Sequence, residues 1–152
     1  MQGKLLHEKD GKRTFALILE TGDEAMVCLQ QFAVRERLAA AQITAIGTMS
    51  SDTLAFFDWE PKMYRPIPVE EQLEVASLVG DIALGPDRTP SVHVHVVLGR
   101  RDGAAMAGHL QKGLVRPTLE IIITESPAHL CKVKDEASGL ALINTRDCTL
   151  AP

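Results

Sequence analysis

The chain has 152 residues, of which 45% are hydrophobic and 24% are charged. This length and composition are typical of one soluble domain that can bury a core without disulfides or structural metals. Its 11 glycines and 8 prolines lie in no biased run, which excludes collagen-like and disordered chains. The longest apolar stretches fall far short of the roughly 18 residues that a membrane span needs, so a transmembrane protein is also excluded.

The distribution of charge bears on partners and location. The formal net charge is −4, from 16 basic and 20 acidic residues. Proteins that bind duplex DNA usually present a basic face, because much of their affinity comes from neutralising phosphates, so this balance weighs against DNA as the main partner. The first 13 residues are rich in charge and hold no apolar segment, so we predict no secretory signal and expect a cytoplasmic protein that binds no membrane.

The cysteines number three and include no CxxC pair. An odd number at these spacings favours neither a disulfide framework nor a cysteine-based zinc site. We therefore interpret Cys28, Cys131 and Cys148 as reduced thiols, with Cys28 in the core.

A strand and a helix are predicted near the N-terminus. Residues 13–20 form a short β-rich apolar run, which is typical of a buried strand. Thr21 and Glu24 have the spacing of a capping box, and apolar residues then recur at helical spacing as far as Ala41. These apolar residues are Met26, Leu29, Phe32 and Ala33.

The rest of the chain is predicted to be strands separated by Gly and Pro turns. The predicted strands are residues 43–48, 53–59, 72–82, 91–98, 104–110 and 118–124. One main helix packed on a mostly antiparallel sheet gives an α+β fold class. We predict a single domain over residues 1–152, with a core of about 13–125 and a tail of 126–152 that includes a short edge strand at 139–143.

Two histidines alternate with valines on the predicted strand at 91–98. Side chains two residues apart on a strand project from the same face, so His93 and His95 lie side by side. The following Arg101-Asp102-Gly103 fits a three-residue hairpin turn closed by Gly. In that register paired residue numbers add to 204, which places His95 directly opposite His109 and His93 diagonal to it.

Three imidazoles on one face indicate a metal site with a vacant fourth position. This is the arrangement of a catalytic or ligand-accepting Zn²⁺ site, although nickel, iron or copper also binds imidazole. A different loop length would send His109 to the other face, and His-x-His alone also occurs as ordinary surface residues. His7 and His129 are interpreted as surface residues.

Several short motifs together resemble one known family, the prokaryotic branch of the PPC (plants and prokaryotes conserved) domain. The motifs are Gly80-Asp81-Ile82-Ala83, Gly85-Pro86-Asp87, Pro90-Ser91-Val92-His93-Val94-His95, Leu98-Gly99-Arg100, Asp102-Gly103, Gly108-His109-Leu110 and Val115-Arg116-Pro117-Thr118-Leu119-Glu120. The resemblance implies one helix on a strongly curved sheet, assembly as a homotrimer, and a metal, expected to be zinc, on His93, His95 and His109. Plant members carry AT-hook motifs that bind DNA, but this sequence contains no Arg-Gly-Arg-Pro hook.

Other residues are candidates for roles around the site. Glu120 and Glu74 lie on predicted strands and are candidate catalytic bases for a metal-bound water, or else solvent-facing residues. Arg116 is a candidate for holding a small polar or anionic ligand, or else an interface or solvated residue. The aromatic residues between Phe56 and Tyr64 could line a pocket, or pack in the core or a trimer interface.

Three functions remain open at this stage. The first is a trimeric metal-binding domain that recognises a small ligand at the open metal position. The second is a metal-dependent enzyme, and the third is a DNA-associated regulator, which the family's label suggests and the charge opposes.

Overall fold

The computed structural model describes residues 1–146 and 148. This part of the chain folds into nine strands and one helix. In chain order they are β1 (Gln2–Lys9), β2 (Lys12–Glu20), α1 (Ala25–Glu36), β3 (Ala40–Asp58), β4 (Met63–Val69), β5 (Leu73–Leu84), β6 (Pro90–Gly99), β7 (Ala105–Glu125), β8 (Cys131–Lys134) and β9 (Ala141–Asn144).

The expected α+β class is wrong, because the chain is mostly sheet. Strands make up 65% of the structure and the single short helix 8%. The nine strands form one mixed sheet. Seven of them follow the order β1-β2-β7-β3-β5-β8-β9, while β4 pairs with β3, and β6 pairs with β5 and β7. Strand β8 runs parallel to β5. Strands β1, β4 and β8 were not predicted. With them the sheet makes up most of the structure, and the helix is only a small part of it.

Two long strands organise this sheet. Strand β3 spans 19 residues and β7 spans 21, and each was predicted as two shorter strands. Neither strand ends where a turn was predicted; instead, the pairing register between them shifts. Strand β3 pairs with β4, β5 and β7 along its length. Because β6 pairs with both β5 and β7, the strands β3, β5, β6 and β7 form a closed circuit.

The helix differs from its prediction at both ends. Glu24 itself is the N-cap, and its side chain accepts hydrogen bonds from the backbone amides of Met26 and Val27, so the capping box led by Thr21 does not form. The helix ends before Arg37, which adopts a left-handed conformation at φ 54°. The buried residues of the helix join the main core.

The interpretation of all three cysteines as reduced thiols is also wrong. Cys131 on β8 forms a disulfide with Cys148, with their Cα atoms 5.2 Å apart. The β8–β9 hairpin brings the chain back towards Cys131. Because this hairpin was not predicted, the spacing of the cysteines did not indicate that Cys131 and Cys148 are paired. Cys28 is free and buried in the core, as expected.

The tail forms the hairpin of β8 and β9, and β9 lies at the sheet edge, close to the edge strand predicted at 139–143. The remainder of the tail, residues 147 and 149–152, lies outside the described residues. Within the described residues, no helix has both the length and the apolar character required to cross a bilayer.

Strands β5 and β6 approach each other closely at Gly80. A Cβ atom at this position would lie 2.2 Å from the carbonyl oxygen of His93 and 2.9 Å from the Cα of Val94. These are backbone atoms of the strand that carries the two predicted metal ligands, so only a glycine allows the two strands to approach this closely.

We expect Gly80→Ala to lower the free energy of unfolding by about 1–3 kcal/mol, because the added methyl group overpacks the β5–β6 contact. Urea unfolding measures the effect. Gly99→Ala is the matched control, since a Cβ there would make an ordinary contact 3.7 Å from the nearest side chain. Equal stability of the two variants would contradict the packing account.

Candidate metal centre

The hairpin that joins β6 to β7 has the predicted turn. The amide of Gly103 donates to the carbonyl of Arg100 at 2.9 Å, the amide of Arg100 donates to the carbonyl of Ala104 at 2.8 Å, and Gly103 has a positive φ of 84°. The resulting register places His95 directly opposite His109, as predicted.

The three histidines converge on one point. One ring nitrogen from each of His93, His95 and His109 lies within 4.8 Å of the others, so the group could hold a metal ion. The ring centroids are 5.1–5.5 Å apart. His93 and His109 are half-buried and His95 is exposed, which leaves one side of the group open.

The surroundings of His109 favour a neutral imidazole. Burial, followed by the charges of His93, His95 and Lys132, lowers the pKa of His109 to about 4. Burial also lowers the pKa of His95. Since neutral imidazole is the form that binds a metal ion, both side chains are prepared for ligation at neutral pH.

One nitrogen of the group supports metal binding independently. Within the described residues, Nδ1 of His109 is buried without a hydrogen-bond partner. An unpaired buried nitrogen is costly, and coordination to an ion removes that cost. The ring of Tyr64 stacks on the His109 imidazole at a centroid distance of 4.7 Å, which fixes the plane of this side chain.

A carboxylate that the sequence analysis did not single out stands behind His93. Asp81 on β5 lies directly opposite His93, with its Oδ2 atom 3.4 Å from Nδ1 of that ring. Its Oδ1 atom lies 3.1 Å from Nζ of Lys132. Burial alone would raise the pKa of Asp81, but the bonds from His93 and Lys132 outweigh it and the pKa is lowered. Such a carboxylate orients a ligating histidine and leaves its other nitrogen for the metal.

The chain matches the model of one known protein family. The model of the Plants and Prokaryotes Conserved (PCC) domain, the family abbreviated PPC above, matches residues 6–127. The chain belongs to this family. Its PPC domain therefore includes every strand that carries a histidine of the group, whereas the β8–β9 hairpin lies beyond the matched residues.

Two solved structures are similar to nearly the whole chain. The plant- and prokaryote-conserved protein of Pyrococcus horikoshii is 29% identical, with a TM-score of 0.80 and 94% of each chain covered. A metal-containing protein of Archaeoglobus fulgidus is 30% identical, with a TM-score of 0.80, covering 95% of this chain and 99% of that one.

A curated relative is similar over part of its length only. The bifunctional protein GlmU of Synechococcus sp. (strain JA-3-3Ab) is 31% identical over 130 residues, which are 84% of this chain and 20% of that protein. The chain thus spans about a fifth of the length of this relative.

The PPC domain does not bring the other predicted site residues to the histidines. Glu74 lies opposite Gly99, four residues beyond His95, which is roughly 13 Å along the strand. Its side chain accepts a hydrogen bond from Thr48 at 3.2 Å. Its role as a catalytic base stays a prediction.

Glu120 and Arg116 lie on the second half of β7, away from His109. Glu120 is exposed and pairs across the sheet with Ile18 and Ile46. The guanidinium of Arg116 donates to Oε1 of Gln72 at 3.2 Å. The catalytic role of Glu120 and the ligand-binding role of Arg116 also stay predictions.

Asp81 could have been found by the register argument that found His109. The turn after β5 is closed by the amide of Gly85, which donates to the carbonyl of Thr89 at 2.8 Å, so paired residue numbers add to 174. That sum places Asp81 opposite His93. This hairpin also has a three-residue loop, but its left-handed position is held by Arg88 at φ 66°, so the sequence lacks the Gly that marks the turn at Gly103.

We expect Asp81→Asn to raise the metal dissociation constant 10- to 100-fold, because the neutral amide orients His93 less firmly. Competition against a chromophoric chelator measures this constant. Glu8→Gln, the same change from carboxylate to amide at an exposed residue of the outer strand β1, serves as the control and should leave it unchanged. Equal affinities in all three proteins would show that Asp81 does not support the site.

Proposed function

We propose that this protein is a homotrimeric metal-binding domain. In this proposal His93, His95 and His109 hold one Zn²⁺, or another divalent transition metal, and the open coordination position accepts a small polar or anionic ligand. The observation that carries the proposal is the convergence of one imidazole nitrogen from each of three histidines within 4.8 Å.

The donor set fits zinc. Three neutral imidazoles with no fourth protein ligand are typical of zinc sites that bind a water or a ligand, whereas structural zinc sites are closed by four protein ligands. Among the described residues, no cysteine or carboxylate belongs to the group. The metal-containing relative from Archaeoglobus fulgidus supports the assignment of a metal to this fold.

Each neighbouring residue has a defined part in the proposed site. Asp81 orients His93, and Tyr64 packs against the face of His109. A bound ion supplies a Lewis acid that attracts an oxygen or nitrogen atom of the ligand. The exposed side of His95 leaves the approach to that position open.

We expect the purified protein to contain about one transition-metal ion per chain, and His93→Ala and His109→Ala to lose it. Elemental mass spectrometry on tag-free protein measures the content. His129→Ala is the matched control, because His129 is exposed and outside the group. Full metal retention in both ligand variants would rule out the three-histidine site.

An exposed apolar surface supports the trimer. Ile46, Val79 and Ile122 on β3, β5 and β7 are 61%, 50% and 42% exposed and line one shallow groove. Monomeric proteins rarely leave such residues grouped in water, so a contact with other copies of the chain accounts for this surface. Val79 lies directly opposite His95, so the proposed interface adjoins the metal site.

We expect the wild-type protein to have three times the mass of one chain by light scattering, and Ile46→Asp to dissociate it, because a charge at the interface lacks a partner. Val34→Asp is the control, since Val34 has a similar exposure of 52% on the helix. A monomeric wild-type protein, or an Ile46→Asp variant that stays trimeric, would contradict this interface.

A further inference from the structure

A cavity of about 300 Å³ separates the histidine group from the C-terminal hairpin. One wall consists of Tyr64, Asp81 and His93, which belong to the metal site, and the other includes Leu140 and Leu142 of the hairpin. A volume at the low end of the range for ligand pockets fits a small molecule. The hairpin wall lies beyond residues 6–127, so the family domain alone does not form this cavity.

A buried lysine lines the same cavity. The side chain of Lys132 is 6% exposed, and its Nζ atom lies 3.1 Å from Oδ1 of Asp81 and 3.2 Å from the carbonyl oxygen of Ser91. The contact with Asp81 is an ion pair, and the hydrogen bond to Ser91 uses one of the three donors of the ammonium group. Lys132 therefore keeps donor capacity for an acceptor that enters the cavity.

The charges around the cavity favour an anion. Among the residues that line it, Lys132 and His93 are basic and Asp81 is the acid. A divalent ion on the three histidines would add positive charge next to this cavity, and Asp81 would offset only part of the total. A carboxylate beside Lys132 would therefore gain a charge-assisted hydrogen bond and the attraction of the nearby ion.

The hairpin wall is apolar and half open to water. Ile143 is 40% exposed, lines the cavity and lies directly opposite Lys132 across the hairpin, so the two side chains share one face. An aliphatic chain attached to the carboxylate would cover Ile143 and remove apolar surface from water. The cavity thus combines a position for a negative head group with a position for a short hydrocarbon chain.

We propose that the cavity binds a small aliphatic carboxylate, with its carboxylate beside Lys132 on the His93 side of the cavity and its hydrocarbon chain against Ile143. This assignment rests on the proposed metal site and names the class of ligand that the site accepts. The β8–β9 hairpin is then the element that determines ligand specificity.

Calorimetric titration of the zinc-loaded protein with isovalerate tests the proposal, with acetate and 3-methylbutanol as companion probes. Wild-type protein should bind isovalerate at least tenfold more tightly than either probe, since acetate lacks the chain and the alcohol lacks the charge. Lys132→Met should weaken isovalerate binding at least tenfold, measured at saturating zinc. Lys134→Met, an exposed lysine on the same strand, is the matched control.

A second variant addresses the hydrocarbon position without disturbing a buried charge. Ile143→Ser changes a half-exposed side chain, and it should abolish the preference for isovalerate over acetate while leaving acetate binding unchanged. This variant keeps the test valid if Lys132→Met fails to fold.

Different results would overturn the metal-site proposal and the carboxylate-site proposal. Absence of bound zinc in the wild-type protein overturns the metal site, and the carboxylate site with it. Full zinc occupancy with no isovalerate binding overturns the carboxylate site alone. Undiminished isovalerate binding by folded Lys132→Met, or an unchanged preference in Ile143→Ser, does so as well.

Discussion

The register of the β6–β7 hairpin determines whether the three histidines meet. Gly103 closes the turn in a left-handed conformation and sets His95 opposite His109. A shift of one residue would turn His109 to the other face of the sheet, and the group would lose its third ligand. The close contact at Gly80 then fixes β6 against β5. Strand β6, which carries His93 and His95, is therefore held by β5 on one side and by β7 on the other.

A series of side-chain contacts links the metal site to the C-terminal tail. Lys132 is a buried cation, and a charge so deeply buried is tolerated only with a partner. Its partner Asp81 also faces His93, so the tail, the carboxylate and the metal ligand form one connected polar network. The disulfide from Cys131 lies next to Lys132 in sequence and ties this part of the tail to Cys148. The hairpin is therefore part of the site's construction as well as a wall of its cavity.

The sequence predicted the site better than it predicted the fold class. His-x-His and a turn with one favoured form were enough to bring three residues together, because strand geometry converts spacing into position. The missing strands have particular causes. Strand β1 is exposed and polar, so it lacks a hydrophobic pattern, although the Asp10-Gly11 pair with positive φ at both residues is a strong hairpin signal.

Strand β4 contains Pro66 and Pro68, which the sequence analysis treated as a turn. The two prolines are two residues apart, so their missing amide hydrogens fall on one side of the strand, and β4 pairs only with β3 in the described sheet. The helix was predicted too long because Ala40 and Ala41 have high helix propensity, whereas strand pairing places both in β3. Tertiary pairing decided each of these positions, and local sequence does not record it.

X-ray absorption spectroscopy on the metal-loaded protein tests the central claim most directly. A group of three histidines with an open position predicts three imidazole nitrogens and at least one solvent oxygen at roughly 2.0–2.1 Å from the ion. A sulfur atom at about 2.3 Å, or fewer than three imidazoles, would contradict the site described here.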